Sequence, residues 1–387
     1  MKKGVSLLTL ICLIAGFLFG SLFPETAGKI SFLGDLYITI LKFMIAPVIF
    51  TSIFSSAYLS KDRGDHLVRR AVLLFIVTFL SSFFLSSLIT LILDPSSGFR
   101  FENNSWNGST ASIGIAGIFL NLFPKDLFSI FQGKYLFFVI VLSFGLGKLF
   151  QVLKLEKASS YLIKGRDLIM KVLSGFMVVT PLAVFALMAN TAASYQGTLF
   201  MGLRYILSAY ISGLLVLIII MILPVTLFCG ISPPEYIRKV YKIWLLTIST
   251  CSSAATLPHT LRLCKEDLGL DERLCDSVIP LGCTIHMCGG AVSFSLLGIF
   301  CAKLYGVEIT FSLYLMMVLS SLILNMSAPG IPNGGVVIGA TYLEMLGIPL
   351  GFIGFYSGIY KILDMLYTSL NVTGDITAAL LLSGRRK

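Results

Sequence analysis

Thr247-Ile248-Ser249-Thr250-Cys251-Ser252-Ser253-Ala254-Ala255-Thr256-Leu257-Pro258 interrupts an otherwise apolar segment, residues 233–265, and decides the fold. A helical membrane span needs about 20 consecutive apolar residues, and the arms flanking this stretch supply only roughly 10 to 15 each. A second interruption, Asn325-Met326-Ser327-Ala328-Pro329-Gly330-Ile331-Pro332-Asn333-Gly334-Gly335, divides residues 311–348 in the same way. Each broken segment is followed by a full-length apolar one, 274–302 and then 351–383. Non-helical backbone survives at membrane depth only where protein or a water-filled cavity surrounds it. The order hairpin, helix, hairpin, helix therefore predicts two re-entrant hairpins, and paired interrupted segments point to a binding site at a repeat interface. Ordinary extramembrane loops would suit the serine, glycine and proline content, but not arms this short.

The rest of the chain is membranous too. Hydrophobic residues make up 56% and charged residues 12%, about half the charged share of a soluble protein. Spans are expected at about 5–23, 36–59, 69–93, 112–150, 169–192 and 200–229, the fourth broken by glycines. Lys2-Lys3 before an apolar run resembles a secretory signal, but the run is long and lacks a small-x-small site, so a retained first helix is expected. In that helix Gly16 and Gly20 form a G-x-x-x-G pair, which permits close helix approach. The net charge of +10 sits in short alternate loops, at Lys61, Arg63, Arg69 and Arg70, then Lys148 to Lys171, then Arg238 to Lys242 and Arg385-Arg386-Lys387. That pattern places both termini in the cytoplasm and excludes a nucleic-acid surface. The eight cysteines show no zinc spacing.

Within the last apolar segment Asp364, Thr368, Asn371 and Asp375 are spaced by four, three and four residues, so one helix face is polar. A charge at bilayer depth costs about 2.5–3.5 kcal/mol on insertion scales, and such residues line pathways or cavities. A third break is expected at Gly282-Cys283-Thr284-Ile285-His286-Met287-Cys288-Gly289-Gly290, where three glycines and a histidine would unwind the 274–302 helix. Unwound carbonyls can coordinate a small cation, and helix N-termini at hairpin tips favour an anion. His286 is equally readable as a packed structural residue.

From Leu41-Lys42-Phe43-Met44-Ile45-Ala46-Pro47 to Asn371-Val372-Thr373-Gly374-Asp375, with the serine-rich tip and the Gly-Ile-Pro turn between, the chain resembles the glutamate-transporter-homologue family of dicarboxylate/amino acid:cation symporters. The resemblance implies an all-α membrane protein with eight transmembrane helices and two re-entrant hairpins in inverted repeats, assembled as a homotrimer in the plasma or inner membrane. It implies one transporter domain over 1–387, with scaffold spans at about 1–168 and 200–229 and an elevator-like transport core at about 69–93 and 233–387. Substrate contacts would come from the Ser253 backbone and Asn371 on the α-carboxylate and from Asp364 on the α-amino group. Gly290, Tyr367 and Thr368 would line the pocket, and Gly330 and Ile331 would gate it. One sodium site would use Asp375, Asn371 and the carbonyls of Gly282 and His286, and a second Thr284 with the backbone at Asn325, Met326 and Ala328. Hard cations take oxygen ligands, which these positions offer.

Departures from the family pattern shape the expected chemistry. Its Asn-Met-Asp-Gly-Thr signature reads His286-Met287-Cys288-Gly289-Gly290, and of two hydroxyl positions in the third span Thr78 remains while the next is Phe79. A third sodium site is therefore expected to be absent, and His286 could supply a titrating group in place of an ion. The arginine that pairs an acidic substrate's side chain is Tyr367, and its first-hairpin counterpart is Cys251. A buried carboxylate without a guanidinium is costly, so a neutral amino acid is the expected substrate, coupled to sodium with protons as a second candidate ion. An acidic amino acid or dicarboxylate is the alternative. Lys361, three residues before Asp364, could instead pair with that carboxylate. An intramembrane hydrolase built on Ser252 or Ser253 with His259 or His286 lacks a G-x-S-x-G signature, and a channel is opposed by the paired hairpins.

Overall fold

The computed structural model describes residues 3–59, 66–99, 136–194, 198–326 and 334–384, and these form helices joined by short turns, with no strand among them. The helices are α1 Lys3–Leu22, α2 Pro24–Leu59, α3 His66–Leu93, α4 Leu136–Val152, α5 Glu156–Phe176, α6 Thr180–Ser194, α7 Thr198–Val216 and α8 Leu223–Cys229. There follow α9 Pro233–Thr250, α10 Ser253–Arg262, α11 Glu272–Ile285, α12 Cys288–Leu304, α13 Phe311–Met326, α14 Gly334–Met345 and α15 Ile353–Leu382. Four continuous or nearly continuous stretches, His66–Leu93, Phe200–Cys229, Glu272–Leu304 and Ile353–Leu382, are long and apolar enough to cross a membrane.

Helix α3 shows why the solvent must be lipid. Its outer face carries exposed Leu73, Val77, Phe84, Leu88 and Ile92, while Thr78, Ser82, Ser86 and Thr90 point inward and are buried. Water would expel that outer face; hydrocarbon accepts it. Two of the inward hydroxyls return their protons to the helix itself, Ser82 Oγ donating to Thr78 O at 2.7 Å and Thr90 Oγ1 to Ser86 O at 2.7 Å, while Ser86 Oγ donates across to Val292 O at 3.5 Å.

Three expected boundaries move. Residues 24–35 are the start of a 36-residue helix, not a loop, because Pro24 suits the first helical position and Glu25 faces the positive helix end. The expected span 169–192 is divided into α5 and α6 by a 3₁₀ turn, Met177–Val179, since Pro181 cannot continue the preceding ladder. The 200–229 span widens into a π-helix at Leu217–Ile222, directly before Pro224, which lacks the N–H an α ladder would need. Of the 112–150 span, residues up to 135 lie outside the described residues. Gly16 and Gly20 do mark a close approach: a Cβ on either would run into the backbone of α6, at Phe185 or Ala189.

Both marked interruptions that fall on described residues break where the sequence predicts. Helix α9 ends at Thr250, Cys251 turns through left-handed backbone at φ 48°, and α10 starts behind an N-cap at Ser252, whose Oγ accepts the Ala255 N–H at 3.3 Å. Between α11 and α12 only His286 and Met287 leave helical geometry, while the three glycines stay helical. The tip joining α13 to α14, residues 327–333, lies outside the described residues. Helix α15 runs through the centre, touching α9, α10, α11, α12 and α14 as well as α1, α3, α6 and α7. Trp244 on α9 donates from Nε1 to Thr373 Oγ1 on α15 at 2.8 Å. Trp244→Phe is expected to cost about 1 kcal/mol, read as a fall of roughly 2–4 °C in the unfolding temperature of the purified protein.

Candidate functional site

Every interrupted element contributes to one cavity beside α15. Cys251, Ser252 and Ser253 come from the α9–α10 turn, Met287, Gly290, Ser293 and Phe294 from the α11–α12 break and α12. Asn325 comes from the end of α13, Gly335 and Ile338 from α14, and Tyr360, Asp364, Tyr367, Thr368 and Asn371 from α15. Six of the eight expected substrate residues, Ser253, Gly290, Asp364, Tyr367, Thr368 and Asn371, thus share one wall. Gly330 and Ile331 lie outside the described residues.

Asp364 is the charged centre of that wall. Its Oδ1 accepts the Thr368 hydroxyl at 3.3 Å and the Tyr360 hydroxyl at 3.4 Å, each one helical turn away. Both bonds are long and come from neutral donors; a cationic group would bind a carboxylate more strongly than either. Tyr360 was missed by sequence reading, as were Ser293 and Tyr356, whose hydroxyls meet at 2.8 Å. The available signal was a tyrosine ladder at 356 and 360, spaced by four from Asp364, which extends the polar stripe by two turns.

No arginine lines the cavity among the described residues. The nearby cation is Lys361 on α15, close to the Cys251 thiol of the cavity wall but not itself among the residues that line the cavity.

The residues of the first expected cation set lie close together. His286 and Asp375 are each 1% exposed, with His286 Nδ1 3.0 Å from Asp375 Oδ1. Asn371 Oδ1 accepts the Gly289 N–H at 2.7 Å, so a side chain from α15 caps the start of α12. Asn371 Nδ2 donates to the Met287 thioether at 3.2 Å. In the second set, Thr284 Oγ1 turns back to the carbonyls of Pro280 and Leu281 at 2.9 and 2.8 Å, and Asn325 Nδ2 donates to Ser321 O at 2.8 Å. Asn325 Oδ1 faces Gly290 so closely that a Cβ there would collide with it. Met326 ends α13, and Ala328 lies outside the described residues.

The serine–histidine pairing of a hydrolase is not the arrangement found. Ser252 Oγ caps α10, His259 is exposed, and His286 bonds to Thr78, Cys288 and Asp375.

Comparison with known proteins accords with this layout. The family model described as the sodium:dicarboxylate symporter family matches residues 5–385. A proton/glutamate-aspartate symporter of Bacillus subtilis (strain 168) is 24% identical over 400 residues, covering 99% of this chain and 95% of the relative. A proton/sodium-glutamate symport protein of Geobacillus stearothermophilus is 24% identical, covering 99% and 94%. A C4-dicarboxylate transport protein of Anaeromyxobacter sp. (strain K) is 22% identical over 397 residues, covering 99% and 90%.

Proposed function

The chain belongs to the sodium:dicarboxylate symporter family, and from that premise we propose that it imports an acidic amino acid or a C4-dicarboxylate together with a cation. The single observation that supports the substrate class is Lys361, on α15 three residues before Asp364 and near the Cys251 thiol of the cavity wall. An acidic amino acid needs one cation for its distal carboxylate and one anion for its amine; Lys361 and Asp364 offer both. The relatives named above are glutamate, aspartate and dicarboxylate symporters, which supports the acidic alternative over the neutral amino acid expected from Tyr367 and Cys251. The α-carboxylate is assigned to the Ser253 end of the cavity, where the N-terminus of α10 presents backbone N–H groups.

Cation coupling is assigned to Thr284, Asn325, Met326 and Ala328, with sodium or a proton as the coupling ion. The order α9–α10, α11–α12, α13–α14, α15 supports two re-entrant hairpins each followed by a spanning helix, and hence eight spans in inverted repeats. On this reading the hairpins with α11, α12 and α15 travel as the core of an elevator, the outer spans form the trimeric scaffold, and both termini face the cytoplasm.

Proteoliposomes given separate inward gradients of sodium and protons test the reading. Glutamate, aspartate or succinate should accumulate against its gradient under at least one of them. Accumulation of neutral amino acids alone would return the substrate to the neutral class. Lys361→Met should weaken an acidic substrate about 10- to 100-fold, the worth of a charge-assisted bond, in an equilibrium binding assay. An unchanged affinity would remove Lys361 from the site.

A further inference from the structure

The side chains of Asp375 and Asn371 are already engaged by other groups of the protein. Gly282 O accepts the His286 N–H at 2.8 Å, Asn371 Oδ1 accepts the Gly289 N–H, and Asp375 Oδ1 meets His286 Nδ1. The other ring nitrogen, Nε2, lies 2.7 Å from Thr78 Oγ1 and 3.0 Å from Cys288 Sγ. One imidazole therefore gathers polar groups from α3, α12 and α15. Phe75 covers its face in a stack, with ring centroids 4.4 Å apart. Two glycines keep the space open: a Cβ on Gly374 would come within 2.8 Å of His286 Cε1, and one on Gly282 would run into the Asp375 carboxylate.

A sodium ion at Asp375 would have to displace His286 Nδ1 from Oδ1, and a buried group released from a hydrogen bond costs about 1–3 kcal/mol. The ring presents nitrogen to that carboxylate and not the oxygen a hard cation takes, so the side chains as they stand do not fit sodium. We propose that His286 takes the place of a coupling cation, so that Asp375 holds a side chain and not a sodium ion, and the chain couples through fewer sodium sites than its oxygen ligands would allow. The proposal rests on the reading of the chain as a cation-coupled symporter, and it confines sodium to the Thr284–Ala328 set.

The test is thermal unfolding of the full-length protein in lipid nanodiscs, with sodium chloride against choline chloride. His286→Asn should gain a sodium-dependent rise of about 2–4 °C beyond that of the wild type, and the further change Asp375→Asn should remove the gain. The proposal is overturned if His286→Asn gains nothing, or if the wild type responds to sodium and Asp375→Asn alone abolishes that response. Should His286→Asn fail to fold, an experimental structure of the wild type at high sodium decides: an ion coordinated by Asp375 overturns it, and an intact His286–Asp375 bond supports it. No readout here requires transport, so failure of uptake would count against the proposed function and leave this result standing.

Discussion

His286→Ala should destabilise the protein by roughly 2–5 kcal/mol, the cost of a buried group left without its hydrogen-bond partner together with the cavity the ring leaves. The substitution strands the Asp375 carboxyl in a pocket where it is 1% exposed, and removes the Nε2 contacts to Thr78 and Cys288. It also deletes the ring stacked on Phe75, leaving a void the surrounding helices cannot fill without moving. Unfolding temperature, followed by intrinsic fluorescence during heating, measures the loss. A shift within a degree of wild type would show that the imidazole is not the partner Asp375 depends on.

Gly289→Val should be at least as damaging, because there α12 meets the backbone of α15 and not a movable side chain. A Cβ at Gly289 would run into the Tyr367 carbonyl and Cα. Overpacking a tight core costs about 1–3 kcal/mol when side chains can yield. Here the obstacle is a helix backbone, and pushing it back also breaks the Gly289 N–H bond to Asn371. The expected outcome is near-complete loss of monodisperse protein on size-exclusion chromatography, with Gly289→Ala retaining a measurable fraction at lower unfolding temperature. Normal yield and stability of the valine variant would contradict this packing.

Both sites depend on contacts that local pattern reveals unequally. The Asp364–Asp375 stripe was legible, because four polar residues on one face of an apolar helix have no cheap alternative to a cavity. The turn at Cys251–Ser252 was legible too, from serines in a segment with short apolar arms; the break at His286–Met287 falls in the expected stretch, although the glycines expected to unwind it stay helical. The division of 156–194 into two helices was not read correctly, although Pro181 carried the signal.

Partners distant in the chain were not legible. His286 meets Thr78 across 208 residues and Asp375 across 89, and nothing local distinguishes a histidine awaiting an ion from one already bonded. Lys361 could be weighed only against Asp364, its neighbour on the same helix; its nearness to Cys251 depends on how α9 packs against α15. The expectation of a neutral substrate rested on the residues at 251 and 367 and did not weigh Lys361 as a partner for a substrate carboxylate.

Sequence alone determined that the chain lives in lipid, where its backbone breaks and which helix carries the polar face. Those follow from hydropathy and backbone hydrogen bonding, which act over one or two turns. Tertiary structure alone decided which groups satisfy one another: Asp375 with His286, Asn371 with Gly289, and Trp244 with Thr373. In a medium without water each such group must find a partner within about 3 Å, and only the packing of distant helices chooses it.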